Sequence, residues 1–282
     1  MLDSLLATNW VCLLLGATVL LVGGSLFFLR RRTAHAPVRI LLISGSVAFA
    51  LLGLLMSTAA FYHLITVAQM DRKFPAPGQM VDVGGYDMHI MCAGTNRVRA
   101  DGRRSPTVIW IPGAHSPGLM SNHLHEAIAA EARSCIYDRA GSGWSDIGTL
   151  PKTIQVEVRE LEALLRNVGE VGPFVVSGHS LGGTLAMNFA ARHPELVSGL
   201  MLIDAASVDM YLYDREARCT QAKTLSRLGA LSAAFGLQWA AVRSAGGPKL
   251  DLIYSRLGED LRLAMAAYDA RPKAFIALGS VY

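Results

Sequence analysis

The stretch FVVSGHSLGGTLAMNFAAR, residues 174–192, decides how the rest of the chain is read. Phe174-Val175-Val176-Ser177 is a short β-branched and aromatic run, whereas Leu181 to Arg192 places its apolar residues at helical spacing and is closed by His193-Pro194. Gly178-His179-Ser180-Leu181-Gly182 lies between them. A Gly-x-Ser-x-Gly match is weak evidence in a chain with 27 glycines. Its place between a strand and a helix is what gives it weight. A serine there is forced into a tight turn that presents its hydroxyl at the carboxyl edge of a sheet, and the two glycines remove side chains where strand and helix approach. Ser180 is therefore the candidate nucleophile.

Working outward, short apolar runs alternate with helical segments on both sides. Val81 to Val83 and Tyr86 to Cys92 read as strands joined at Gly84-Gly85, and Thr107 to Ile111 as a buried strand ending at Pro112-Gly113. Ser121 to Ala132 reads as a helix, Ser134 to Tyr137 as a strand and Thr153 to Val168 as a helix. Leu200 to Ile203 is a further strand that ends at Asp204. This alternation predicts right-handed crossovers and a mostly parallel sheet, an α/β fold over residues 79–206. Residues 207–282 turn alanine-, leucine- and arginine-rich and read as a helical cap. Leu225, Leu228, Leu231 and Phe235 in it line either a hydrophobic acyl pocket or an ordinary helix core.

Upstream the chain changes character. It is 52% hydrophobic with a mean hydropathy of +0.34, and the excess lies in residues 1–70. No charged residue occurs from Trp10 to Leu29 or from Ile40 to Met70. Each stretch is long enough to cross a hydrocarbon layer of ~30 Å as a helix. Two transmembrane helices, about 10–29 and 40–69, are expected to form a membrane anchor, with residues 71–78, including Pro75-Ala76-Pro77-Gly78, as a stiff linker. Met1-Leu2-Asp3 lacks the basic start of a cleaved signal peptide. Arg30, Arg31, Arg32 and Arg39 in the connecting loop predict a cytoplasmic loop. The expected location is thus the cell membrane, multi-pass, with the catalytic domain extracytoplasmic and the lipid bilayer as a partner.

The net charge of +4 comes mainly from that loop, leaving 22 basic against 21 acidic groups beyond residue 70. Nucleic acid is not an expected partner. Cys12, Cys92, Cys135 and Cys219 show no metal-ligand spacing, so neither a metal nor an organic cofactor is expected.

An acyl transfer on Ser180 needs N–H donors for the developing oxyanion. The backbone of Leu181 supplies one, and the turn Ile111-Pro112-Gly113-Ala114-His115 supplies a second through Ala114. Of the eight histidines, His35 and His63 lie in the membrane region, His89 on an early strand, His123 and His125 on or near a surface helix, and His193 at a helix end. His179 is expected to pack beneath the turn. Only His115 is placed to face Ser180, and the catalytic histidine stays unassigned. Asp138, Arg139 and Asp146 read as ion-pair or turn-stabilising residues beside the pocket. Asp204 is either the acid of a triad or the cap of the next segment.

Val81-Asp82-Val83-Gly84-Gly85, Met88-His89-Ile90-Met91-Cys92, Tyr137-Asp138-Arg139-Ala140-Gly141-Ser142-Gly143-Trp144-Ser145 and Gly178-His179-Ser180-Leu181-Gly182-Gly183 together resemble membrane-anchored bacterial α/β-hydrolases of the esterase, lipase and peptidase superfamily. The resemblance covers roughly residues 70 to 210. It implies a sheet of strand order 1-2-4-3-5-6-7-8, with Ser180 after the fifth strand and Asp204 at the end of the sixth. It also places Cys92 and Cys135 on neighbouring strands, as a disulfide or as buried thiols. The family's seventh and eighth strands and its histidine have no counterpart before Tyr282, an expectation that leaves three readings. One is a serine hydrolase acting on a small-molecule ester or amide; another is an inactive binding protein or truncated fragment; in the third, a second chain supplies strands and histidine.

Overall fold

The computed structural model describes residues 2–279 except 34, 99–101, 103, 115, 207–214 and 245–257, and for 215–219 only the backbone. A short helix α1 (Leu2–Leu6) precedes a pair of long apolar helices, α2 (Val11–Leu29) and α3 (Ala36–Lys73). Both are long and apolar enough to cross a membrane, and most of their surface is exposed. Small residues set their close approach. A Cβ on Gly23 would sit 3.2 Å from Phe49 Cβ, and one on Gly16 would collide with Ser57. At about 1.5 Å per residue the 38 residues of α3 run for about 57 Å, well beyond a single bilayer crossing.

The sheet has six strands: β1 (Gln79–Asp82), β2 (Asp87–Ala93), β3 (Thr107–Ile111), β4 (Ser134–Tyr137), β5 (Phe174–His179) and β6 (Val197–Ile203). Their order is β1-β2-β4-β3-β5-β6. β1 and β2 are antiparallel to their neighbours, and β4, β3, β5 and β6 run parallel. This is the expected order as far as the sixth strand. Helices α4 (Asn122–Ala129), α5 (Ile154–Asn167) and α6 (Leu181–Arg192) make the crossovers, and α7 (Arg215–Ala234), α8 (Leu237–Ser244), α9 (Glu259–Asp269) and α10 (Pro272–Gly279) follow β6.

Every residue of β3, Thr107-Val108-Ile109-Trp110-Ile111, is buried, as a central parallel strand covered on both faces requires. Ile109 and Ile111 face a core built with Leu161, Leu164 and Leu165 of α5 and Leu185 and Phe189 of α6. Val108 and Trp110 face the opposite core, made with Leu119, Ile136, Trp144 and Met265 and Tyr268 of α9. Phe74 belongs to that second core.

The first residues of the expected linker 71–78 are built into the fold. The helix continues through Lys73, and Phe74 is buried, its carbonyl accepting from Trp144 Nε1 at 2.9 Å and from Tyr268 Oη at 3.2 Å. Cys92 and Cys135 face each other across β2 and β4 and are joined as a disulfide.

Candidate active site

Ser180 joins β5 to α6 with φ 51° and ψ −123°, a left-handed conformation rare for a residue with a side chain. The surroundings hold it there. Its N–H donates to the carbonyls of Ile203 (3.3 Å) and Asp204 (3.2 Å), and its own carbonyl accepts from Gly183 and Ala206 N–H, both at 2.9 Å. The flanking glycines are needed because a side chain on Gly178 would collide with the Gly182 backbone, and one on Gly182 with the Ile111 carbonyl. The serine is half-buried, and among the described residues its hydroxyl has no hydrogen-bond partner.

The turn after β3 abuts it. A Cβ on Gly113 would lie 3.3 Å from Ser180 Cβ, so the strand end that carries Ala114 stands beside Ser180. Neither the Ala114 nor the Leu181 N–H has a backbone acceptor among the described residues. Leu181 is the first residue of α6, where a helix leaves its N–H groups unpaired. Arg139 holds the turn from behind: its Nη1 donates to the Gly113 carbonyl at 2.9 Å, and its Nε and Nη2 engage the two Glu157 carboxylate oxygens. Arg139 and Glu157 are both buried. Burial disfavours the Arg139 cation, but the Glu157 charge outweighs it and the guanidinium is held above its ordinary range.

Asp204 reaches Ser180 through its backbone. It too has a positive φ, 45°, and its carbonyl takes the Ser180 N–H, while its side chain is exposed with no partner among the described residues. His115 lies outside the described residues. His179 does not pack beneath the turn as expected; it is exposed, because β5 turns away from the core at its last residue, and its ring leans over Gly113. Leu225 and Leu228 do not line an acyl pocket: both are exposed, and Leu231 and Phe235 pack with Leu6, Val11 and Cys12 instead. α7 presents its other face to the N-terminal helices, and that burial replaces the pocket.

One buried cluster is missed by sequence reasoning. His89 Nδ1 lies 2.9 Å from Asp138 Oδ2, Trp144 N–H donates to the same oxygen at 3.0 Å, and Gly118 N–H donates to Oδ1 at 2.7 Å. Asp138 thus ties β2, the end of β4 and the segment after the Pro112–Ala114 turn into one piece. His89 is no base for Ser180, because β2 stands three positions from β5 in the sheet, about 14 Å at ~4.8 Å per strand. The Asp138-Arg139-Ala140-Gly141-Ser142-Gly143 run carries the signal. Gly143 has φ 48°, and a Cβ there would collide with the Asp138 carboxylate. His125, expected near the surface, is also buried, with Nδ1 3.0 Å from Ser134 Oγ.

The family described as alpha/beta hydrolase fold matches residues 106–245. A Mycobacterium tuberculosis protein named lipase LipV is 52% identical over 56 residues, 20% of this chain and 21% of that protein. An uncharacterized vacuolar membrane protein of Saccharomyces cerevisiae is 25% identical over 167 residues, 56% of this chain. An uncharacterized Bacillus subtilis protein, YbdG, is 24% identical over 169 residues, 59% of this chain. The chain spans only 16%, 26% and 50% of the length of three curated relatives that it matches. Among solved structures, a mutant epoxide hydrolase of Bacillus megaterium superposes with a TM-score of 0.51 at 14% identity, covering 71% of each chain, a likeness of fold. With the strand order and the turn at Ser180 alongside the family match over residues 106–245, the chain has the α/β-hydrolase fold.

Proposed function

We propose that the chain is a membrane-anchored serine hydrolase that attacks a small-molecule ester, or an amide, through an acyl-enzyme on Ser180. The observation that carries this reading is the strained left-handed backbone of Ser180 beside two N–H groups that have no backbone acceptor among the described residues. Attack of Oγ on the substrate carbonyl moves charge onto its oxygen. Leu181 N–H and Ala114 N–H are the donors assigned to that oxyanion. Collapse expels the alcohol or amine and leaves the acyl group on Ser180, and water then releases the acid. The hydroxyl proton passes to a base as the first bond forms, a role we assign to His115, next in sequence to Ala114, with Asp204 as the acid. The name lipase on the relative that is 52% identical over its matched segment supports an ester.

Anchoring rests on α2 and α3, which expose apolar side chains along both lengths. The four loop arginines favour a cytoplasmic loop, and the Cys92–Cys135 disulfide favours an oxidising space for the domain. A second reading is favoured by one specific observation. No described histidine bonds to Ser180 Oγ or to the Asp204 carboxylate, as a hydrolase-fold protein that binds a ligand without cleaving it would have it.

A fluorophosphonate probe separates the two on the full chain in detergent. A hydrolase is labelled at Ser180, and labelling disappears in Ser180→Ala. A folded chain that takes no label is the binding protein.

A further inference from the structure

The hairpin of α2 and α3 ends where His63 Nε2 meets Asn9 Oδ1 at 3.1 Å. Trp10 and Tyr62 beside this contact are largely exposed, the placement that aromatic residues take at the boundary between hydrocarbon and water. The remaining turns of α3 dock on α8 and α9 and enclose a narrow cavity. Three of its lining residues each carry a buried polar atom without a hydrogen-bond partner among the described residues: His63 Nδ1, Trp239 Nε1 and Arg271 Nε. The tryptophan and arginine groups only donate, so the cavity calls for an oxygen acceptor.

Arg271 also lines a second, larger cavity of about 570 Å³ between Ala7–Trp10, Tyr86, Asp146–Gly148 and Lys273. Arg271 Nη2 pairs with Asp71 Oδ1 at 2.7 Å, and Lys273 Nζ donates to the Ser145 carbonyl at 2.7 Å, which leaves two of its three donors. Burial first, and the neighbouring Arg271 charge second, push the Lys273 ammonium down to about 8, opposed by Asp146, Asp138 and Asp71. The two cations repel each other at one wall of an open polar space. An added anion between them relieves that repulsion.

We propose that these cavities around Arg271 form a phosphate-binding site, and that the phosphate is that of a phospholipid head group. The second half rests on the reading of α2 and α3 as membrane-embedded; it is independent of chemistry at Ser180. The head group enters the larger cavity at the level of Trp10, meets Lys273 and the guanidinium of Arg271, and directs an oxygen toward the orphaned donors behind.

Native mass spectrometry of the full chain released from detergent tests this with added phosphatidylglycerol and with diacylglycerol of the same acyl chains. The wild type is expected to retain one phosphatidylglycerol about tenfold more tightly than Lys273→Gln, a loss of about 1.4 kcal/mol. The amide of that variant keeps an N–H for the Ser145 carbonyl, and circular dichroism and thermal melting verify its fold. Trp239→Phe, which keeps an aromatic ring and removes one donor, is expected to weaken retention by a smaller factor. Equal retention by wild type and Lys273→Gln, or retention of diacylglycerol as tight as that of phosphatidylglycerol, overturns the proposal. Displacement of the lipid by inorganic phosphate supports the oxyanion site and assigns it to a soluble phosphate ester. Alkaline carbonate extraction tests the membrane reading separately. If it releases the chain, the head group is excluded as the source, and inorganic phosphate binding to wild type and Lys273→Gln still decides whether the site exists.

Discussion

At Ser180 a left-handed backbone costs on the order of 1–3 kcal/mol and persists only where neighbours over-determine it. Here four backbone hydrogen bonds and two glycines without room for a Cβ do so. Gly182→Ala, which drives a methyl group into the Ile111 carbonyl, is therefore expected to destabilise by roughly 2–4 kcal/mol and to abolish fluorophosphonate labelling; urea denaturation reads the first effect. Arg139 is a positioning residue of a different kind, since it holds the turn after β3, proposed above to bind the oxyanion, through the Gly113 carbonyl while paired with Glu157. Arg139→Met leaves a buried carboxylate unpaired, with an expected loss of about 3–5 kcal/mol. Arg139→Met combined with Glu157→Leu is expected to recover most of that stability in the same urea measurement. Labelling of the double variant stays slow, because the Gly113 carbonyl has still lost its donor.

Among the elements, α4 shows how a helix that looks superficial is fastened to the sheet. Ser134 Oγ on β4 accepts from Trp110 Nε1 at 2.9 Å and meets His125 Nδ1 at 3.0 Å, so the hydroxyl proton points to a neutral imidazole. Burial holds the His125 imidazolium below its ordinary 6.5. Above that pH both folded and unfolded chains carry neutral imidazole. As pH falls through 6.5 the unfolded chain takes the proton first, and stability is lost down to the folded value. The urea midpoint of the wild type is expected to fall relative to that of His125→Gln between about pH 7.5 and about pH 5. A constant difference between the two would show that His125 takes its proton equally in both states.

At the scale of the whole molecule the N-terminal helices and the hydrolase core are built into each other. Phe74 and Met70 complete one face of the sheet core, and Leu6, Val11 and Cys12 pack with Ala230, Ala234 and Ile276. Tyr268 and Arg271 both bond Asp71. A chain beginning at Gln79 uncovers both surfaces and is expected to aggregate. Size-exclusion chromatography against the full chain in detergent measures this, and a monodisperse, equally stable product would show the N-terminal helices to be a mere tether. At the other side of the sheet β6 exposes Leu200, Met201 and Leu202 along its length.

The alternation of strands and helices, the two apolar helices and the serine between Gly178 and Gly182 are all legible in the sequence, because each depends on side-chain periodicity or on glycine within a few neighbours, whereas the strand order through β6 comes only from the family resemblance. β3, β4 and α6 fall where their residue patterns place them for that reason. Arg139 and Asp138 are visible only as a charged loop, since their partners Glu157 and His89 lie 18 and 49 residues away and meet them through the sheet order. The same holds for the face that α7 turns to the N-terminal helices, for Phe74 inside the core, and for the three orphaned polar atoms around Arg271. Amphipathic pattern says that a face will be buried. Which surface covers it, and which polar groups are left facing each other, is decided by long-range packing, because burial pairs segments by shape and area and carries no label of sequence position.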